Sequence, residues 1–252
     1  MHLAVCVAVA FVAGLVDAMA GGGGILTIPA IATFGFAIPV VGGTNKVVGT
    51  CGSSTATVRF LLRGKIDFAV AGVAAVGAAA GAVAGARALV SLGRVDERLA
   101  RGLFGFLLVA MALYLFFRPA LGTASEPRRA GRATLALALA TGVALGFYDG
   151  FFGPGTGSFL VFAMVRLFRF DFVTATGNAK LVNFASNVAS LGTFIISGVV
   201  EWRVALPMGA ACACGAWLGA ALAIRNGPRF VRWIFLAVAI AVAARLIVAA
   251  AR

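Results

Sequence analysis

The chain has 252 residues, of which 62% are hydrophobic and 12% charged, and 21 basic side chains against 8 acidic ones give a formal charge of +13. A soluble domain is roughly half apolar and about one quarter charged. This composition therefore excludes an ordinary soluble domain, a disordered chain and a basic nucleic-acid binder, whose charge needs a polar surface to sit on. The fold class that fits is an all-α polytopic membrane protein.

At ~20 residues per span the length allows about eight crossings. The apolar blocks fall at residues 3–36, 39–62, 67–91, 99–117, 133–165, 170–197, 204–224 and 230–250. The first block lacks a basic leader and runs on towards Pro39, so it is read as part of the fold rather than as a signal peptide. Blocks 3–36 and 133–165 would each be about 50 Å long as one helix, against a hydrocarbon core of ~30 Å. Glycines interrupt both near the middle: Gly21, Gly22, Gly23 and Gly24 in one, Gly153-Pro154-Gly155-Thr156-Gly157 in the other. Each long block is predicted to be two half-helices around an unwound segment, giving eight to ten helices in all. The longest polar stretch, 118–132, carries four arginines and reads as a surface linker. Cys6, Cys51, Cys212 and Cys214 lie in apolar runs and are expected to be buried small residues, with no metal site.

The two long blocks are copies of one pattern. Asp17 stands four residues before the first glycine run, and Asp149 four before Gly153. Further on, Lys46 and Lys180, Gly64 and Gly198, Asp67 and Glu201, Gly81 and Gly215, and Gly85 and Gly219 are each 134 positions apart. The chain is predicted to be two homologous transmembrane repeats, 1–117 and 133–252, joined by the linker at 118–132. Duplication with interrupted apolar segments in matching places is the sequence mark of a secondary transporter. Four crossings per half would make the repeats parallel, whereas a hairpin in each long block would make them inverted. Counted on eight crossings, the basic residues divide almost evenly between the two sides and do not orient the chain.

Of the 21 basic residues only Lys46, Lys65 and Lys180 are lysines, and Lys46 and Lys180 share a repeat position inside apolar blocks. Ionisable groups within a membrane are costly and mark sites or pathways. On a helix, Lys46 shares a face with Gly49, Thr50, Ser53 and Thr57; Thr176, Lys180, Asn183, Asn187 and Ser190 form the matching stripe. The expected anion ligands are Lys46, Lys180, Asn45, Asn178, Asn183, Ser53 and Asn187. Half-helices starting after Gly24 and near Ser158 would aim backbone N–H groups at the same ligand. Gly21 to Gly24, Gly153, Gly155 and Gly157 thus act as donors and hinges. Asp17 and Asp149 pair with Lys180 and Lys46, carry coupling protons, or simply cap helix ends at the interface; the sequence does not choose. Asp67 and Glu201 are expected to pair with Lys65 and Arg203 at the interface, and the Gly-x3-Gly series to be helix-packing faces. No hydrolase or metalloenzyme motif is present, so an enzyme is not expected, and no cofactor or catalytic residue is assigned.

Gly14-x2-Asp17 with its glycine run, followed by Gly43-Thr44-Asn45-Lys46, resembles the sulfite exporter TauE/SafE family of permeases. So do Gly146 to Gly157 and the run from Ala175 through Lys180 to Asn183. The resemblance spans nearly the whole chain and implies a bacterial cytoplasmic-membrane transporter of sulfite, sulfonates or related organosulfur anions. The expectation is an alternating-access carrier. An anion channel and a non-transporting accessory subunit are the alternatives. Expected partners are the lipid bilayer and a small anionic substrate, with no nucleic acid; a homo-oligomer is left open.

Overall fold

The computed structural model describes residues 2–92, 117 and 120–250, with side chains over 2–91, 117 and 120–241. The expected block at 99–117, apart from Phe117, lies outside the described residues. The elements are helices α1 (His2–Ala20), α2 (Gly24–Ala32), α3 (Ile38–Leu61), α4 (Phe68–Leu92), α5 (Arg132–Phe151), α6 (Thr156–Arg166), α7 (Phe172–Ile196) and α8 (Trp202–Ala250). α1, α4, α5, α7 and α8 are long and apolar enough to cross a membrane. α3 is long enough too, at 24 residues and ~36 Å, but its buried face holds Thr44, Asn45, Lys46, Ser53 and Thr57. A helix that polar must be shielded by protein.

Both long blocks break at their glycines. Gly21 and Gly153 adopt φ of +79° and +86°, the left-handed region that residues with a Cβ avoid. α2 then folds back along α1: the Cys6 thiol donates to the Ala30 carbonyl at 3.4 Å, and the Gly23 N–H donates to Asp17 at 3.0 Å. In the second half, the Arg128 N–H just before α5 donates to the Phe168 carbonyl just after α6. Each long block is thus a hairpin, and α3 and α7 start on the sides where α1 and α5 start.

α3 and α7 cross at the centre in opposite directions: Gly43 meets Phe194, Gly49 meets Asn187, and Gly177 meets Phe60. The chain reverses once more at Gly227, whose backbone is non-helical ahead of Pro228. Beyond it Phe235 packs on Phe172 and Val238 lies near Gly22, so α8 holds two helical arms, as the blocks at 204–224 and 230–250 predict.

Two close helix pairs flank the centre. Cβ atoms placed on Gly77, Gly81 and Gly85 of α4 would strike the carbonyls of Leu139, Val143 and Phe147 on α5; Gly142, Gly146 and Gly150 of α5 stand likewise against Ala74, Ala78 and Ala82. On the other flank Gly215 and Gly219 of α8 meet Phe11 and Leu15 of α1. Small residues let such backbones approach within dispersion range, which drives association where lipid removes the hydrophobic term. Asp67 and Glu201 do not pair with Lys65 and Arg203. Their carboxylates accept the Val70 and Arg203 N–H groups, because each sits where a new helix leaves its first donors unsatisfied. Cys214 is exposed rather than buried: two residues from buried Cys212, it falls on the outward side of the helix.

Candidate functional site

The site forms where the two broken hairpins meet. Gly21 lies against the backbone of Gly157 and Ser158, and Ser158 Oγ donates to the Ala20 carbonyl at 3.1 Å. The starts of α2 and α6 therefore converge at the centre. Pro154 is fixed there by the Tyr148 hydroxyl, which donates to its carbonyl. Each half-helix brings its partially positive N-terminal end.

Around this point lie two ion pairs, each joining one half of the chain to the other. Lys46 Nζ stands 2.7 Å from Asp149 Oδ2, and Lys180 Nζ 2.6 Å from Asp17 Oδ2. Each aspartate is paired with the lysine of the opposite half. A second reciprocal exchange accompanies it: Thr44 Oγ1 accepts the Glu201 N–H at 3.0 Å and Asn178 Oδ1 accepts the Asp67 N–H at 2.7 Å. Ser53 and Asn187, 134 positions apart, meet directly, with Asn187 Nδ2 donating to Ser53 Oγ at 3.4 Å.

A cavity of about 40 Å³ opens beside the Lys46 pair. Among the expected residues, Asn45, Lys46, Asn183, Asn187, Asp17, Asp149, Gly22, Gly23, Gly24, Gly153, Gly155 and Gly157 line it. Gly21 sits behind this wall, Ser53 donates to the Gly49 carbonyl, and Lys180 is 0% exposed. Asn178, expected as a substrate ligand, does not line the cavity. It caps α4, since its place near the start of α7 puts it level with the α3–α4 turn.

The polar groups at the cavity are already connected. Asn187 Oδ1 accepts from Lys46 at 3.2 Å, while its Nδ2 also donates to Asn183 Oδ1 at 3.2 Å. Two contributors were not singled out from the sequence. Ser186 Oγ donates to Asp149 Oδ2 at 2.5 Å, and Thr27 Oγ1 donates to Asn45 Oδ1 at 2.5 Å. Ser186 was detectable, three residues beyond Asn183 on the same helix face. Thr27 was not, because nothing in the sequence sets the direction of α2. The centre carries two cations and two carboxylates, so its formal charge cancels while donors on Lys46, Asn45 and Asn183 remain beside open space. Such a site can take a compact oxyanion by exchange of partners.

Comparison with known proteins places the chain among membrane transporters. The family described as "Sulfite exporter TauE/SafE" matches residues 6–246. Three similar proteins are named "probable membrane transporter protein". That of Sinorhizobium sp (ORF9) is 39% identical, covering 94% of this chain and 89% of its own. That of Haemophilus influenzae is 36% identical, covering 91% and 88%, and YfcA of Escherichia coli is 35% identical, covering 95% and 87%. No solved structure matches the chain. With its buried ionic centre, its apolar spanning helices and a family match over nearly its full length, the chain belongs to the sulfite exporter TauE/SafE family of multi-pass bacterial membrane transporters.

Proposed function

We propose that the protein is a secondary transporter moving a small sulfur-containing oxyanion, such as sulfite or an organosulfonate, across the cytoplasmic membrane. The observation that carries this reading is the cavity where two broken helices meet, supplied with Lys46, three amide side chains and glycine backbone. Lys46 is the charge-bearing ligand, with Asn45 and Asn183 as hydrogen-bond donors and Asn187 holding the ammonium in place. At about 40 Å³ the cavity is of the order of one or two waters, at ~30 Å³ each in the liquid. Sulfite, with four heavy atoms, and any sulfonate are larger than that, so their entry requires the hairpins to part.

The chain is further proposed to be two inverted repeats, 1–117 and 133–252, joined by the linker at 118–132. Antiparallel α3 and α7 and the reciprocal pairings support this. Inversion lets one half rock against the other around a fixed central site.

The test is uptake of labelled sulfite into proteoliposomes. Saturable uptake, competed by unlabelled sulfite and lowered about tenfold or more in Lys46→Ala, is expected, the scale of one charge-assisted hydrogen bond. Equal uptake by wild type and Lys46→Ala, at equal incorporation, would end the proposal.

A further inference from the structure

The two ion pairs occupy equivalent places in the sequence but unlike surroundings. Around Lys46 and Asp149 stand Asn45, Thr27, Asn183, Ser186 and Asn187. At the sequence positions that match these in the other copy of the pattern the chain has Ala179, Phe159, Gly49, Gly52 and Ser53. Four of those five polar side chains are replaced by groups with no side-chain hydrogen bond to offer.

The bonding differs accordingly. Asp149 gathers Lys46 and Ser186 on one oxygen, Oδ2, at 2.7 and 2.5 Å. Asp17 uses both oxygens: Oδ1 accepts the Gly23 N–H at 3.0 Å and Oδ2 holds Lys180 at 2.6 Å. Asp17 thereby ties the end of α1 to the start of α2 and to α7. It borders the cavity, but Lys180 is sealed away from it, whereas Lys46 faces it.

We infer that the two pairs have separate roles: Lys46 is the exchange site, where an incoming oxyanion replaces Asp149, and Lys180–Asp17 is a fixed strut holding the first glycine break. The inference rests on the anion-carrier reading. Exchange needs a released carboxylate to have somewhere to go. The Ser186 hydroxyl gives Asp149 a standing partner within α7, whereas the standing partner of Asp17 is the Gly23 N–H, so moving Asp17 would disturb the glycine break itself. Asn187, bonded to both Lys46 and Asn183, positions the ammonium as its partner changes.

Charge-neutral double variants separate the roles. Labelled sulfite uptake, with KM and maximal rate resolved, and thermal midpoints in detergent are measured for wild type, Lys46→Met/Asp149→Asn and Lys180→Met/Asp17→Asn. The first double variant is expected to fold and to lose uptake by about 10- to 100-fold, the scale of one or two charge-assisted hydrogen bonds. The second is expected to melt lower and to lose maximal rate more than KM, as for a contact that holds the glycine break outside the binding step. Uptake retained in the first, or a KM raised about tenfold in the second while it remains folded, overturns the inference. Should the strut variant not fold, Lys180→Arg is set against Lys46→Arg. An unchanged KM in the former and one raised about tenfold in the latter support separate roles, since Arg does not reproduce a compact ammonium; equal responses overturn them. A wild type that moves no sulfite removes the carrier reading and this inference together, whereas wild-type transport with KM raised equally in both double variants removes the inference alone.

Discussion

At the scale of the residue, the centre depends on charges that cancel. Asp149 and Lys46 are 3% and 4% exposed, so removing one leaves the other buried and uncompensated, at a cost of about 3–5 kcal/mol. Asp149→Asn alone is therefore expected to lower stability in detergent, and adding Lys46→Met to restore most of it. Denaturation of the two single variants and the double checks this, and additive losses would contradict it. Ser186→Ala should cost about 1.5–3 kcal/mol, the worth of a hydrogen bond to a charged group, read in the same experiment. Much of this centre was legible in the sequence. Lysines are so scarce that two in matching apolar positions stand out, and the acids before each glycine run were their natural partners. The place of Asn178 at the Asp67 N–H was not legible, because the sequence does not show which neighbouring turn stands level with the start of α7.

At the scale of the element, the glycines separate into those that bend the chain and those that let helices touch. Gly21 and Gly35 share a left-handed φ, +79° and +76°. A Cβ at Gly21 would strike the Gly157 and Ser158 backbone, whereas at Gly35 it meets nothing within 4 Å. Gly35→Ala is expected to cost only the conformational strain, of order 1–3 kcal/mol, and to leave uptake intact. Gly21→Ala should cost more and lower uptake, because it forces the two hairpin tips apart. Thermal midpoints and uptake measured on the pair check this. The breaks themselves were readable as interruptions in over-long apolar blocks. The return of α2 along α1 was not, since an apolar half-helix has the same composition whether it continues across a bilayer or doubles back. That ambiguity is also why the basic residues failed to orient an eight-crossing chain.

At the scale of the whole molecule, the contacts predict which loops share a side. The Glu201 N–H reaches Thr44 near the start of α3, so the turns around Gly35 and Gly198 lie together. The Asp67 N–H reaches Asn178, and the Phe172 N–H the Gly122 carbonyl, so the turn around Gly64 and the linker near Thr123 lie on the opposite side. Single cysteines at Gly35 and Gly198, in a background whose native cysteines are replaced, should react with an impermeant thiol reagent from one face of oriented vesicles. Those at Gly64 and Thr123 should react from the other. Labelling of all four from one face would refute the inverted arrangement.

The exchange of partners between halves also has a consequence in time. Asp17 and Lys180 are separated by 163 positions, roughly 8–30 s of synthesis at ~5–20 residues per second. Throughout that interval the emerging chain holds Asp17 without its lysine, and Lys46 waits likewise until Asp149 has been made. Nascent chains stalled after residue 117 are thus predicted to stay associated with the insertion machinery and to be degraded on release. Co-expression of the second half should protect them.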